Sequence, residues 1–238
     1  MTSLTSLATP VRLMVVSLDG EPARFERGNA WLSNEEQQRA NRFKFEHHRV
    51  LWTRSRIALR SALAAELDAA PESLVFDTAD NGKPHLRAHP SLKFNLSHSH
   101  EKALIAIGDR DVGCDIEYVK PIRDWAAVTR RFFSAHEQHE LAKLPERDKL
   151  AAFYRVWTRK EAVIKATGQG LRADLRSFDV SIMADAAVLN ERHAPIDALP
   201  WQLGSMSLND EYVGAVALRA IHRVSLNVCE WAMGRHGE

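Results

Sequence analysis

The chain has 238 residues, 45% hydrophobic and 26% charged, the texture of a soluble globular protein with one large domain or two small ones. A formal net charge of +1 excludes a general electrostatic pull toward nucleic acid or an anionic membrane. Two cysteines, Cys114 and Cys229, exclude a disulfide framework and fit a reducing compartment, and no basic start leads into a long apolar core, so a cytoplasmic protein is expected.

Residues 11–18 (VRLMVVSL) read as a buried strand, too short to span a bilayer. In LSNEE (32–36), Ser33 followed three residues later by Glu36 is a capping box that opens a helix. A basic helical stretch is expected to about residue 46, then a second helix from about 48 to 68 with Trp52, Leu59 and Leu63 at helical spacing. SLVFD (73–77) is a short strand and DNGKP (80–84) a turn. LKFNLS (92–97) and KALIAIG (102–108) are strands joined by HSHE, and DVGCDIEYV (111–119) is another.

Beyond that strand the texture becomes helical. RDWAAVTRRFF and SAHEQHELAKL are helices, the second capped by Ser134 with Glu137 at N3. RDKLAAFYRVWTRKEAVIKAT is a long helix that Gly168 ends. FDVSIM, WQLGSMSL and YVGAVALRAI are short strands, with ADAAVLNERHAPIDALP as loop between them. Each half holds helices and about three strands, which predicts two α+β halves meeting near residue 112.

Chemistry-bearing residues gather in four places. In GCDIE, strand alternation sends Gly113, Asp115 and Glu117 to one face and Cys114, Ile116 and Tyr118 to the other. Two carboxylates about 7 Å apart on one face suit Mg²⁺, a hard cation, or simply face solvent. FNLSHSH places Ser97, His98, Ser99 and His100 at a strand end; it lacks a G-x-S-x-G elbow and zinc-ligand spacing, and a hydrogen-bonding turn is the plain alternative. Lys83 after DNG reads as an exposed, flexible cation fit for phosphate or for water. From Arg39 to Arg60 there are seven Lys or Arg and one acid, Glu46. Arg42, Arg49 and Arg56 would align on a continuous helix, as a phosphate clamp or as a solvated face. On the long helix, Glu161 and Lys165 share a side, one turn apart.

In order, GKP (82–84), SHS (97–99), GCDIE (113–117) and WTRKEAVIKATGQGL (157–171) resemble the 4′-phosphopantetheinyl transferases of the longer, Sfp type, whose hallmark is G-x-D-x-E followed by W-x-x-K-E-A-x-x-K. Asp115 and Glu161 lie 46 positions apart, as that pattern requires. The resemblance implies an enzyme that moves the 4′-phosphopantetheine arm of coenzyme A onto a serine of an acyl or peptidyl carrier protein, releasing adenosine 3′,5′-bisphosphate. It implies that Asp115, Glu117 and Glu161 surround a catalytic Mg²⁺, with Mn²⁺ as a possible substitute. Lys165 would lie beside the pyrophosphate, and Glu161 would activate the carrier serine. Lys83, Ser97 and His98 would touch the coenzyme A phosphates; Arg42 and Arg49 are the arginines chosen to help them.

The implied fold is α+β, a pseudo-dimer of two similar α/β halves, each a small antiparallel sheet with packed helices and the active site in the cleft between them. The expected halves are 1–111, for coenzyme A phosphate contacts, and 112–238, for the metal and catalytic carboxylates. A monomer without nucleic-acid or membrane partners is expected. Trp157 and Ile164 would pack the long helix on the sheet, and Lys160 is expected to be exposed. Two alternatives remain: a Mg²⁺-dependent phosphohydrolase of a nucleotide-like pyrophosphate, and a non-catalytic protein that binds coenzyme A or a carrier domain.

Overall fold

Val11–Ser17 forms β1, and its continuous apolar run has a simple cause. Both faces are covered, so alternation in polarity disappears. The computed structural model describes residues 11–20, 23–170, 173–183, 188–192, 198–221 and 226–230; residues 1–10 and Leu171, the end of the motif segment, lie outside them. In chain order the remaining elements are α1 (Ala23–Glu26), α2 (Asn34–Ala40), α3 (Glu46–Leu67), β2 (Phe76–Thr78), β3 (Pro84–Leu86), β4 (Lys93–Ser99), β5 (Lys102–Gly108) and β6 (Val112–Tyr118). There follow α4 (Trp125–Phe132), α5 (Ala135–Lys143), α6 (Glu146–Thr167), β7 (Phe178–Val180), β8 (Val188–Glu191), β9 (Trp201–Leu208), β10 (Tyr212–Arg219) and β11 (Leu226–Glu230).

Two sheets carry the fold. The first has the order β11-β1-β5-β4, and the second β6-β10-β9. All neighbours pair antiparallel except β1 and β11, which run parallel with Val11 opposite Leu226. The layers follow from alternation along each strand. Met14, Val16, Phe94 and Ile105 face α3, against Ala58, Leu59, Ala62 and Leu63. Leu13, Val15, Leu104 and Ala106 turn the other way and meet Val112, Cys114, Ile116, Val216 and Leu218 of the second sheet. Val213, Ala215 and Ala217 present the far face of that sheet to Val163, Ala166 and their neighbours on α6. Helix, sheet, sheet and helix thus stack as two α/β halves, each a small sheet with a long helix on its outer side, in an α+β fold.

Both expected capping boxes form, at Ser33–Glu36 and Ser134–Glu137, and Gly168 ends α6 at φ +71°. Several expectations are corrected. The basic stretch is not helical to residue 46: α2 stops at Ala40, and α3 starts at Glu46 after Phe45 turns extended. Arg42 sits in that break, so it does not align with Arg49 and Arg56. The strand expected at 73–77 lies at Phe76–Thr78, paired with β3 across the DNGKP turn, where Gly82 takes φ +85°. β4 runs on through His98 and Ser99, leaving a tight turn in which His100 takes φ +50°. The expected loop contains β8, which pairs with β7, while residues 184–187 and 193–197 lie outside the described residues. No described helix is long and apolar enough to cross a membrane.

Candidate active site

The two sheets meet at β4 and β6 without a backbone ladder between them. Alternation along FNLSHS sends Asn95, Ser97 and Ser99 toward β6, and their side chains make the join. Asn95 Oδ1 accepts from the Cys114 N–H at 2.9 Å. Ser97 Oγ donates to Asp115 Oδ1 at 2.8 Å, and Ser99 Oγ donates to Glu117 Oε2 at 2.7 Å while accepting from the Tyr118 N–H at 3.1 Å. Each carboxylate of the acidic strand is therefore held by one hydroxyl of the SHS strand.

α6 reaches these carboxylates because β6 has no side chain in its path. A Cβ on Gly113 would stand 2.1 Å from the Ala162 carbonyl oxygen and 2.3 Å from the Ala166 nitrogen. With helix and strand in direct backbone contact, Lys165 Nζ comes within 2.6 Å of Asp115 Oδ1 and 3.0 Å of Ser97 Oγ. Glu161, one turn earlier, is close enough to feel the charges of Asp115, Lys165 and Glu117. Trp157 and Ile164 pack in the α6 core as expected.

Burial sets the electrostatics. Asp115 is 3% exposed, and desolvation outweighs Lys165 and Ser97 to raise its pKa. Glu117 and Glu161 are raised by burial first and by the Asp115 charge second. Burial would lower Lys165, but the attraction of Asp115 wins and its pKa is raised. Partial desolvation, then Lys165, holds His98 below its ordinary value. Burial drives Cys114 up to about 12, as befits an inert core thiol. One lysine thus serves three crowded carboxylates. Asp115 Oδ2 is buried and has no hydrogen-bond partner. An unmatched acceptor beside two further carboxylates is a donor set that fits a hard divalent cation. Among the described residues, no three His, Cys, Asp or Glu side chains form a ready-made metal-holding group.

The structure brings Ser97, Asp115, Glu117, Glu161 and Lys165 together. His98 lies nearby, on the wall of a cavity of about 790 Å³ that runs along α3 toward Phe76 and Phe94. Lys83 is not the exposed cation expected: its side chain is 12% exposed, and Nζ donates to the Ala166 carbonyl at 2.9 Å and pairs with Asp111 at 3.2 Å. It ties the β2–β3 turn to the end of α6. Arg42 and Arg49 do not line the large cavity. Arg42 borders a separate shallow hollow with Arg39 and Phe43, and Arg49 makes a two-point pair with Glu46 at 2.8 and 2.5 Å. Arg39, Arg56 and Arg60 line the cavity instead, the last two held by Glu36.

Sequence reasoning missed the role of Asn95 and Ser99, whose signal was the polar alternation of FNLSHS. It also misplaced Lys160, which is wholly buried and paired with Glu137 at 2.8 Å.

Strand carboxylates held by serines, with a helix lysine beside them, bring residues of the SHS, GCDIE and WTRKEAVIK segments together. Comparison with known proteins makes the assignment. The family model described as the 4′-phosphopantetheinyl transferase superfamily matches residues 111–217, and one described as 4′-phosphopantetheinyl transferase, N-terminal, matches residues 19–109. The chain belongs to that family. It is 38% identical to the 4′-phosphopantetheinyl transferase HetI of Nostoc sp., over 91% of this chain and 90% of that protein. It is 35% identical to psf-1 of Bacillus pumilus over 92% of this chain and 94% of that one, and 32% identical to Sfp of Bacillus subtilis over 71% and 76%. Both of those are also named 4′-phosphopantetheinyl transferases.

Proposed function

We propose that this enzyme transfers the 4′-phosphopantetheine arm of coenzyme A to a serine hydroxyl of an acyl or peptidyl carrier protein, leaving adenosine 3′,5′-bisphosphate. The observation that carries the reading is the joining of Asp115, Ser97 and Lys165 between two sheets, with Glu117 and Glu161 beside them. The serine oxygen forms a bond to the β-phosphorus of coenzyme A as the bond to the departing bisphosphate oxygen breaks. Glu161 takes the serine proton, directly or through water; a carboxylate whose burial raises its pKa is a better base at neutral pH than a free one. Lys165, with its ammonium kept charged by Asp115, lies against the pyrophosphate and matches its developing charge. Ser97 and His98 border the phosphates, and Lys83 approaches them from the β2–β3 turn. Arg42, in the break ahead of α3, and Arg49, in the first turn of α3, are more remote and would meet the outer phosphate of the ligand.

Asp115, Glu117 and Glu161 would hold a divalent cation, which supplies charge neutralisation at the pyrophosphate; Mg²⁺ suits such oxygen donors, and Mn²⁺ can replace it. The division of labour follows the two halves: residues 1–111 supply most phosphate contacts, and 112–238 the carboxylates. β11, although last in the chain, joins the first sheet. One chain supplies both walls of the cleft, so the working form is a monomer, and its two cysteines fit a reducing cytoplasm.

The test is the intact mass of apo carrier proteins after incubation with the enzyme, coenzyme A and Mg²⁺. The expected result is a gain of one phosphopantetheine arm that chelator abolishes. Coenzyme A consumed without any gain would assign a hydrolase instead; neither consumption nor gain across fatty-acid, polyketide and peptide-synthetase carriers would favour a binding protein.

A further inference from the structure

Lys160 adjoins Glu161 in the chain yet points away from the site, into the core. Its ammonium has three acceptors: Glu137 Oε1 at 2.8 Å, the Leu175 carbonyl at 2.6 Å and the Phe178 carbonyl at 2.7 Å. The Phe178 ring lies 4.3 Å from the same nitrogen. Glu137 is as fully engaged. Its Oε2 accepts from the Ser134 N–H at 2.8 Å, closing the cap of α5, and its Oε1 also accepts from the Val180 N–H at 2.8 Å. Both side chains are 0% exposed.

Stability alone does not explain such a pair. Two ions taken out of water lose hydration that their attraction barely returns, and apolar residues of similar volume often serve as well or better. What an ion pair with three fixed acceptors adds is direction. The acceptors come from α5 and from the segment 175–178, so they fix α6 both in rotation about its axis and in position along it. Arg159 adds to this from the next position, donating to the Ser181 and Met183 carbonyls at 2.5 and 2.8 Å and to Ser205 Oγ at 2.9 Å. On the opposite side, α6 meets β6 through the bare backbone at Gly113, which has no side chain to lock its rotation, and through the Lys165–Asp115 contact of the site itself.

We propose that Lys160 and Glu137 are positioning residues for the transfer reaction: their buried pair sets the rotation of α6, so that Glu161 and Lys165 face Asp115. Neither touches substrate. A helix residue turns about 100° from its neighbour, so a small rotation moves the Glu161 carboxylate while Ser97 and His98 stay in place on β4 of the first half. A misplacement on the scale of 1 Å costs on the order of a hundredfold in rate.

The inference rests on the transferase reading, and the experiment separates the two. Wild type, Lys160→Met/Glu137→Gln and Lys160→Arg are compared by steady-state kinetics on one carrier protein, with circular dichroism and thermal unfolding of each. Wild type that modifies no carrier overturns the transferase reading, and the positioning role with it. With wild type active, the expected result is a folded double variant whose kcat falls by tenfold or more while the KM for coenzyme A stays within twofold. Lys160→Arg, which keeps charge and donors, should recover part of that kcat. A folded double variant with wild-type kcat overturns the positioning role, as does a rise in KM alone. If neither variant folds, the pair is a requirement of folding, and the positioning role is likewise overturned.

Discussion

Lys160 and Lys165 stand five residues apart on one helix, and each meets a buried carboxylate. Around Lys160 every polar atom is matched: three acceptors for the ammonium, and a partner for each oxygen of Glu137. Around Lys165 the match is incomplete. Asp115 keeps one oxygen without a partner, two further carboxylates crowd it, and the lysine side chain is 29% exposed to the cleft. The same two chemical groups thus make a fixed joint in one place and a receptive site in the other. Satisfaction, rather than burial, separates them: a buried charge that wants nothing more is structural, and one left wanting is where a ligand belongs.

The sharpest way to break the comparison is to strike the receptive side. Asp115→Ala or Glu161→Gln should cut carrier modification by roughly 10²–10⁴-fold with an unchanged circular dichroism spectrum. Near-normal turnover would remove either residue from the reaction. On the satisfied side, Glu137→Ala strands a charged lysine in the core and should cost about 3–5 kcal/mol in urea unfolding. A loss below 1 kcal/mol would mean that Lys160 escapes to water, contrary to its burial. Gly113→Ala lies between the two. Its methyl meets the α6 backbone and should cost about 1–3 kcal/mol, with activity falling further than stability because the catalytic face of α6 is displaced.

A finer test uses pH. Glu161 titrates near 4.5 when unfolded and higher when folded. Below 4.5 both states keep the proton; as pH rises through the folded value, a charge is pressed into a buried, acidic site and stability is lost. With chelator present, Glu161→Gln should therefore melt above wild type at neutral pH, and the gain should vanish toward pH 4. An equal gain at both ends would show that charge is not its cause. The smallest effect is expected at Lys83→Ala, a several-fold rise in the KM for coenzyme A; an unchanged KM would leave Lys83 only its bond to the Ala166 carbonyl.

Local signals in the chain were legible where local physics decides. The two capping boxes, the glycine stop of α6 and the facing of Asp115 and Glu117 depend on neighbours within a turn or a strand. The carboxylate cluster itself was legible because two specific motifs carry it. Lys160 was not, because its acceptors arrive from segments 15 and 18 residues downstream and from α5, and a lysine between an arginine and a glutamate looks solvated. Arg42 was misread because nothing in NRFKFEHH marks the break that separates α2 from α3. Lys83 was misread for a similar reason: the carbonyl that shields it lies 83 residues away. β11 was not named as a strand at all, since LNVCE is short and carries no apolar run, and its partner β1 lies far back in the chain.

That last strand has a consequence for how the molecule is made. β1 is synthesised well before its neighbour β11, which lies far downstream in the chain. Until residues 226–230 emerge, one edge of an otherwise finished sheet stays open, with its backbone donors free to pair with any passing strand. The nascent chain therefore carries an aggregation hazard for as long as β11 is unmade, and synthesis of that strand, rather than completion of the catalytic cleft, is the event that closes it.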